Sequence, residues 1–223
     1  MAADRESHAN QPVRRSGPSP EQARLVAILL HGRGASAEDI LGLAHQFTSR
    51  DVAYLAPQAA GSTWYPYSFL APLEQNEPWL GSALNVVGGL IEDLAQRGIP
   101  PERVVLMGFS QGACLALEFA ARHAREYAAV VAFSGGLIGP PGTARDYAGE
   151  LAGTPVFIGC SDVDAHIPLA RVQESTAVLR RMGATVDERI YPRMGHTINA
   201  DELQAADALL TGRSPRSGGA RTL

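Results

Sequence analysis

The stretch Val104-Val105-Leu106-Met107-Gly108-Phe109-Ser110-Gln111-Gly112-Ala113-Cys114 is an apolar run that ends in a serine held between two glycines and then turns apolar again. A buried core has no use for that hydroxyl. Arg103–Met107 has the composition of a short buried strand, and Gln111–His123 reads as a helix. Gly108-x-Ser110-x-Gly112 is then a sharp strand-to-helix turn. A serine at such a turn sits on a strained backbone, and small residues on either side let strand and helix approach each other. The turn lifts the hydroxyl clear of the sheet and over a helix N-terminus, whose N–H groups favour negative charge. That is the posture of a nucleophile.

Working outward from this turn, short apolar runs alternate with helical patterns. Leu25–Leu30, Val52–Ala56, Ala128–Phe133, Pro155–Gly159 and Thr185–Tyr191 read as further strands. Helices are expected from the Ser36 cap to about Ser49, then over Trp79–Gln96, Leu169–Met182 and Ala200–Leu210. Residues 58–78 form a long loop rich in aromatic residues and proline. The alternation predicts an α/β fold with a mostly parallel central sheet covered by helices on both faces. Residues 1–20 and 212–223 are polar and aperiodic and read as disordered tails, which leaves one domain over 21–211.

Composition narrows the function. The 223 residues carry a formal charge of −4, so no broad basic surface points to nucleic acid or an anionic membrane. All nineteen Lys+Arg residues are arginine, which excludes Schiff-base catalysis, a P-loop lysine and a Ser-x-x-Lys pair. Cys114 and Cys160 are too few for a disulfide framework and fit packing in a reducing compartment. No zinc-type spacing or membrane-length run is found, Leu25–Leu30 is too short to be expected as the apolar segment of a signal peptide, and a cytoplasmic location is expected.

A serine needs a base, usually histidine, oriented by a carboxylate. The histidines after Ser110 are His123, His166 and His196. His123 falls at the end of the helix that starts at the turn. His166 and His196 fall in loops after strands, where open α/β sheets gather their sites. His196 has the better order and place, with Gly195 leaving room for the ring. Asp162 and Asp164 compete as the acid; two residues apart in an extended loop, they point to opposite sides. The oxyanion donors are expected from the backbone N–H of Gln111 and from the glycine loop His31-Gly32-Arg33-Gly34. Trp64, Tyr65, Phe69 and Leu73 offer an apolar wall for substrate, and the Arg33 side chain either attracts an anionic leaving group or faces solvent.

Taken together, His31-Gly32-Arg33-Gly34, Gly108-Phe109-Ser110-Gln111-Gly112, Asp164-Ala165-His166-Ile167-Pro168 and Met194-Gly195-His196 resemble the phospholipase/carboxylesterase family over about residues 24–211. These are small α/β-hydrolases without a large cap domain, and they include the acyl-protein thioesterases. The resemblance implies Ser110, Asp164 and His196 as the triad and the N–H groups of Arg33 and Gln111 as the oxyanion hole. It also implies a small ester substrate, a homodimer, and neither metal nor organic cofactor. The chain departs from the common pattern at Arg33, at Cys160-Ser161 and at Trp64-Tyr65-Pro66. These departures favour a bacterial esterase acting on short- to medium-chain esters. The alternatives are a lysophospholipase or acyl-protein thioesterase on the same triad, or a non-catalytic binding protein of this fold.

Overall fold

A computed structural model describes residues 8–212. Its centre is a seven-stranded sheet in the order β1-β3-β2-β4-β5-β6-β7. The strands are β1 (Val13–Ser16), β2 (Leu25–Leu30), β3 (Val52–Pro57), β4 (Val104–Phe109), β5 (Ala129–Phe133), β6 (Pro155–Ser161) and β7 (Thr185–Tyr191). β1 runs antiparallel to β3, and every other pairing is parallel. The inner strands are buried on both faces, which is why β2 reads Leu-Val-Ala-Ile-Leu-Leu without alternation.

Residue parity assigns the two faces. Val26, Ile28, Leu30, Val104 and Leu106 join the core made with α3 (Trp79–Gln96), α4 (Gln111–Arg122) and α5 (Leu169–Arg181). Ala27, Leu29, Val105 and Met107 join the core made with α1 (Ala37–Leu41) and α6 (Ala200–Thr211). The remaining helix, α2 (Leu73–Asn76), is a single turn within the long loop. Every residue of α4 except Arg122 is buried. No helix among the described residues is long and apolar enough to cross a membrane.

Two expectations need correction. Residues 8–20 are not a tail: His8 is buried, and Val13–Ser16 pairs with Tyr54–Pro57 as an edge strand. Main-chain hydrogen bonds outweigh the polar side chains there, since Arg14 and Arg15 can point outward from an edge. Residues 1–7 and 213–223 lie outside the described residues. The helix capped by Ser36 stops at Leu41 and continues as a 3₁₀ segment to Gln46, short of Ser49. Ser36 and Asp39 form the expected capping box.

The chain leaves β2 to form β3 on one side and returns to form β4 on the other. The carboxyl ends of β2 and β4 therefore flank a topological switch point, where such sheets leave a crevice. His31-Gly32-Arg33 and Ser110 occupy those two ends.

Candidate active site

Ser110 joins β4 to α4 with φ 55° and ψ −117°, a conformation that costs a non-glycine residue of order 1–3 kcal/mol. Contacts dictate the flanking glycines. A Cβ on Gly108 would stand 2.4 Å from the Gly112 carbonyl group, and one on Gly112 would stand 2.0 Å from the Leu30 carbonyl oxygen. β4, α4 and β2 can close together only without those atoms.

Ser110 Oγ lies 2.8 Å from His196 Nε2, and His196 Nδ1 lies 2.7 Å from Asp164 Oδ2. A carboxylate only accepts, so Nδ1 carries the ring proton and the serine hydroxyl donates to Nε2. Asp164 Oδ1 accepts from the N–H groups of His166 at 2.8 Å and Ile167 at 3.0 Å. Burial alone would push the Asp164 carboxyl up. The hydrogen bonds from His196, His166 and Ile167 outweigh it and hold the carboxyl below its ordinary range.

Asp162, the competing acid, points elsewhere. Its Oδ1 accepts from the Arg193 N–H at 2.7 Å, and Ser161 Oγ accepts from the Gly195 N–H at 3.2 Å. These bonds tie the acid loop to the histidine loop, and neither residue was singled out as a support in the sequence. The His196 ring also packs against Phe109 and, edge-on, against His166, with centroids 4.9 and 4.7 Å away. His123 lies apart from this group, stacked on Phe119 at the end of α4.

The glycine loop approaches the serine from β2. A Cβ on Gly32 would stand 3.5 Å from Ser110 Cβ. The loop is braced by His31, fully buried, whose Nδ1 donates to the Gly32 carbonyl at 2.8 Å while Nε2 accepts from the Ala59 N–H at 3.0 Å. Burial lowers the His31 pKa and keeps the ring neutral, as the accepting nitrogen requires. Gln111 opens α4, so its N–H is among the first-turn donors that lack an intrahelical acceptor. A pocket of about 470 Å³ adjoins these groups, lined in part by Arg33, Tyr65, Phe69, Ser110, Ile167 and His196.

The phospholipase/carboxylesterase family profile matches residues 16–212. The chain belongs to this family. A crystal structure of a phospholipase/carboxylesterase from Dyadobacter fermentans aligns with a TM-score of 0.87 at 43% identity, over 91% of this chain and 97% of that one. A probable carboxylesterase, SOBER1-like, from Arabidopsis thaliana is 26% identical over 87% of this chain and 81% of its own. Acyl-protein thioesterase 1 from Neurospora crassa is 31% identical over 57% of this chain and 53% of its own, so that match spans about half of the relative. The fold is accordingly the α/β-hydrolase fold, and by membership the chain is an enzyme, a serine hydrolase of the carboxylesterase kind.

Within this family member the expected apolar wall is only half present. Tyr65 and Phe69 line the pocket. Trp64 does not: it is fully buried, with Nε1 donating to the His31 carbonyl at 2.9 Å. Leu73 packs on the core instead of the pocket. The Arg33 guanidinium lines the pocket from an exposed position, where backbone carbonyls take up its donors. It donates to the carbonyls of Tyr65, Pro66 and Tyr67 at 2.9, 2.8 and 2.6 Å. Gln111 grips the same loop, accepting from the Trp64 N–H at 2.9 Å and donating to the Tyr65 carbonyl at 2.8 Å. The two residues expected to supply oxyanion N–H groups thus use their side chains to hold the pocket wall. Burial pushes the thiols of Cys114 and Cys160 up to about 12, so neither is a nucleophile at neutral pH.

Proposed function

We propose that this protein hydrolyses short- to medium-chain carboxylic esters through a Ser110–His196–Asp164 triad. The observation that carries the reading is the unbroken chain of contacts from Ser110 Oγ to His196 Nε2 and from Nδ1 to Asp164 Oδ2, at 2.8 and 2.7 Å. His196 takes the serine proton as Oγ attacks the ester carbonyl. Asp164 holds the ring in the required tautomer and stabilises the imidazolium. The N–H groups of Arg33 and Gln111 receive the oxyanion. His196 then protonates the departing alcohol, and water activated by the same ring releases the acid from the acyl-enzyme.

The pocket beside Ser110 has a volume of about 470 Å³, in the ordinary range for a small-molecule site. The similarity to an acyl-protein thioesterase keeps one second reading, with long acyl chains on the same triad. Hydrolysis of p-nitrophenyl esters of increasing acyl length, with wild type beside Ser110→Ala, tests both. Serine-dependent turnover of short chains is expected. A long-chain optimum would replace the first reading with the second, and failure of a fluorophosphonate probe to label Ser110 would overturn both.

A further inference from the structure

Among the described residues no carboxylate lines the pocket beside Ser110, and one guanidinium does. Arg33 is exposed there, so its charge stands open to whatever enters. Three of its five N–H groups go to the carbonyls of Tyr65, Pro66 and Tyr67. Carbonyl oxygens accept hydrogen bonds but carry no net charge, so they fix the guanidinium in place without neutralising it. Nε–H and one N–H of Nη1 have no hydrogen-bond partner among the described residues. No ion pair among those residues includes Arg33.

The Tyr65 carbonyl locates this charge. It accepts from Arg33 Nη2 at 2.9 Å and from Gln111 Nε2 at 2.8 Å, so those two nitrogens stand no more than about 6 Å apart. Gln111 follows Ser110 in the chain, and the main chain entering Arg33 passes the serine: a Cβ on Gly32 would stand 3.5 Å from Ser110 Cβ. The triad carboxylate, Asp164, does not line the pocket. Its side chain is shut from solvent, and its oxygens are taken up by His196 and by the N–H groups of His166 and Ile167. The whole chain carries a formal charge of −4, so the positive charge here is a property of the pocket and not of the protein's overall balance.

We infer that this pocket favours esters that carry a carboxylate over neutral esters of similar shape, and that Arg33 is the specificity-determining residue for that charge. The inference rests on the esterase reading above. A cation already fixed by the main chain gives up little freedom when an anion arrives. Beside apolar wall residues such as Phe69 and Ile167, its field is screened less than on open surface.

The test uses two pairs of esters. In 4-acetoxybenzoate and 4-acetoxybenzamide the leaving group carries or lacks the charge. In mono-p-nitrophenyl adipate and p-nitrophenyl methyl adipate the acyl group carries or lacks it. The ratio of kcat/KM for the charged ester to that for the neutral one is measured for wild type, Arg33→Gln and Arg33→Lys. In at least one pair the ratio is expected to fall about fivefold in Arg33→Gln, the scale of one partly screened charge. Arg33→Lys keeps the charge but not the fork, and is expected to keep the ratio within about twofold of wild type. Loosening of the pocket wall slows both esters of a pair alike and cancels in the ratio. The pair that responds shows which side of the ester meets Arg33. Raising sodium chloride from about 20 mM to about 500 mM is expected to lower the wild-type ratio about threefold, a reading that needs no variant to fold. Ratios in both pairs that ignore Arg33→Gln or salt, or that fall as far in Arg33→Lys as in Arg33→Gln, would overturn the inference; with Ser110-dependent turnover intact, the esterase reading would stand. Absence of turnover, with no fluorophosphonate labelling of Ser110, would overturn the esterase reading and this inference with it.

Discussion

Arg33 Nη2 donates to the carbonyl oxygen of Tyr65 at 2.9 Å, and the same guanidinium reaches the next two carbonyls. One side chain thus fastens the wall of the pocket to the loop that follows β2. Any residue except proline would keep the Arg33 N–H, so the effect of losing the side chain separates from any effect on the N–H proposed as an oxyanion donor. Arg33→Leu is expected to lower kcat/KM about tenfold, mainly through KM, because three charge-assisted hydrogen bonds that order the wall are gone. Steady-state kinetics on a short-chain ester checks this; a loss confined to kcat would contradict it.

Removing Ser110 or His196 is expected to lower kcat about a millionfold, and Asp164→Asn about ten-thousandfold, on the scale of other triads. Single-turnover measurements with a p-nitrophenyl ester read all three.

Asp162 has a different task. Its carboxylate accepts the Arg193 N–H at 2.7 Å, three residues before His196. Asp162→Ala is expected to lower kcat about tenfold by loosening the histidine loop, far less than Asp164→Asn. Greater damage from the Asp162 change would reverse the assignment of the acid.

Gly112→Ala should fail at the level of folding. Its new Cβ would meet the Leu30 carbonyl oxygen, a backbone atom, at 2.0 Å. The expected loss is about 3 kcal/mol or more, read from the urea midpoint, or from the absence of soluble protein.

Glu202 makes stability depend on pH. Its side chain is fully buried in the capping box of α6, with Oε2 accepting from the Asn199 N–H at 2.8 Å and Oε1 unpartnered. Burial, aided by the charge of Asp201 and opposed by the Asn199 N–H, raises its pKa from 4.5 to about 7. The folded state therefore holds this proton more tightly than the unfolded state does. Glu202 is least costly below the unfolded value of 4.5, and its contribution is lost as pH rises towards about 7, a loss of about 3 kcal/mol at most. Glu202→Gln keeps an oxygen acceptor and cannot ionise. Its stability relative to wild type is expected to rise from pH 4.5 to pH 8 in urea titrations, and a flat difference would remove Glu202 as the cause.

Much of this architecture is legible in the sequence because burial on two faces leaves unbroken apolar runs. β2 and β7 fall on the expected residues, and the other parallel strands differ only at their ends. Ser110 and His196 could be paired in the sequence because a serine on a strand-to-helix turn and a histidine in a loop after a later strand have the order of a serine–histidine pair, and the fold sets their side chains 2.8 Å apart. The two aspartates illustrate a local limit. Spacing says that they point apart, and only the fold shows that Asp164 meets His196 while Asp162 meets Arg193. β1 escaped notice because Val-Arg-Arg-Ser has no periodicity, and its pairing partner is remote in sequence. Trp64 and Leu73 were assigned to the wall by type, but type does not tell whether an aromatic or aliphatic residue faces a pocket or the core behind it. The guanidinium clamp was hidden for a related reason, since its acceptors are backbone carbonyls that any residues at 65–67 would supply.

The two margins of the sheet have a consequence for how copies of this protein meet. β1 ends the sheet with Arg14 and Arg15, and β7 ends it with Asp187, Glu188 and Arg189, the last bound to Asp187 and Asp201. A neighbouring chain that extended the sheet at either margin would bring its own side chains alongside those charges. Both margins thereby carry charges of the kind that oppose runaway strand addition.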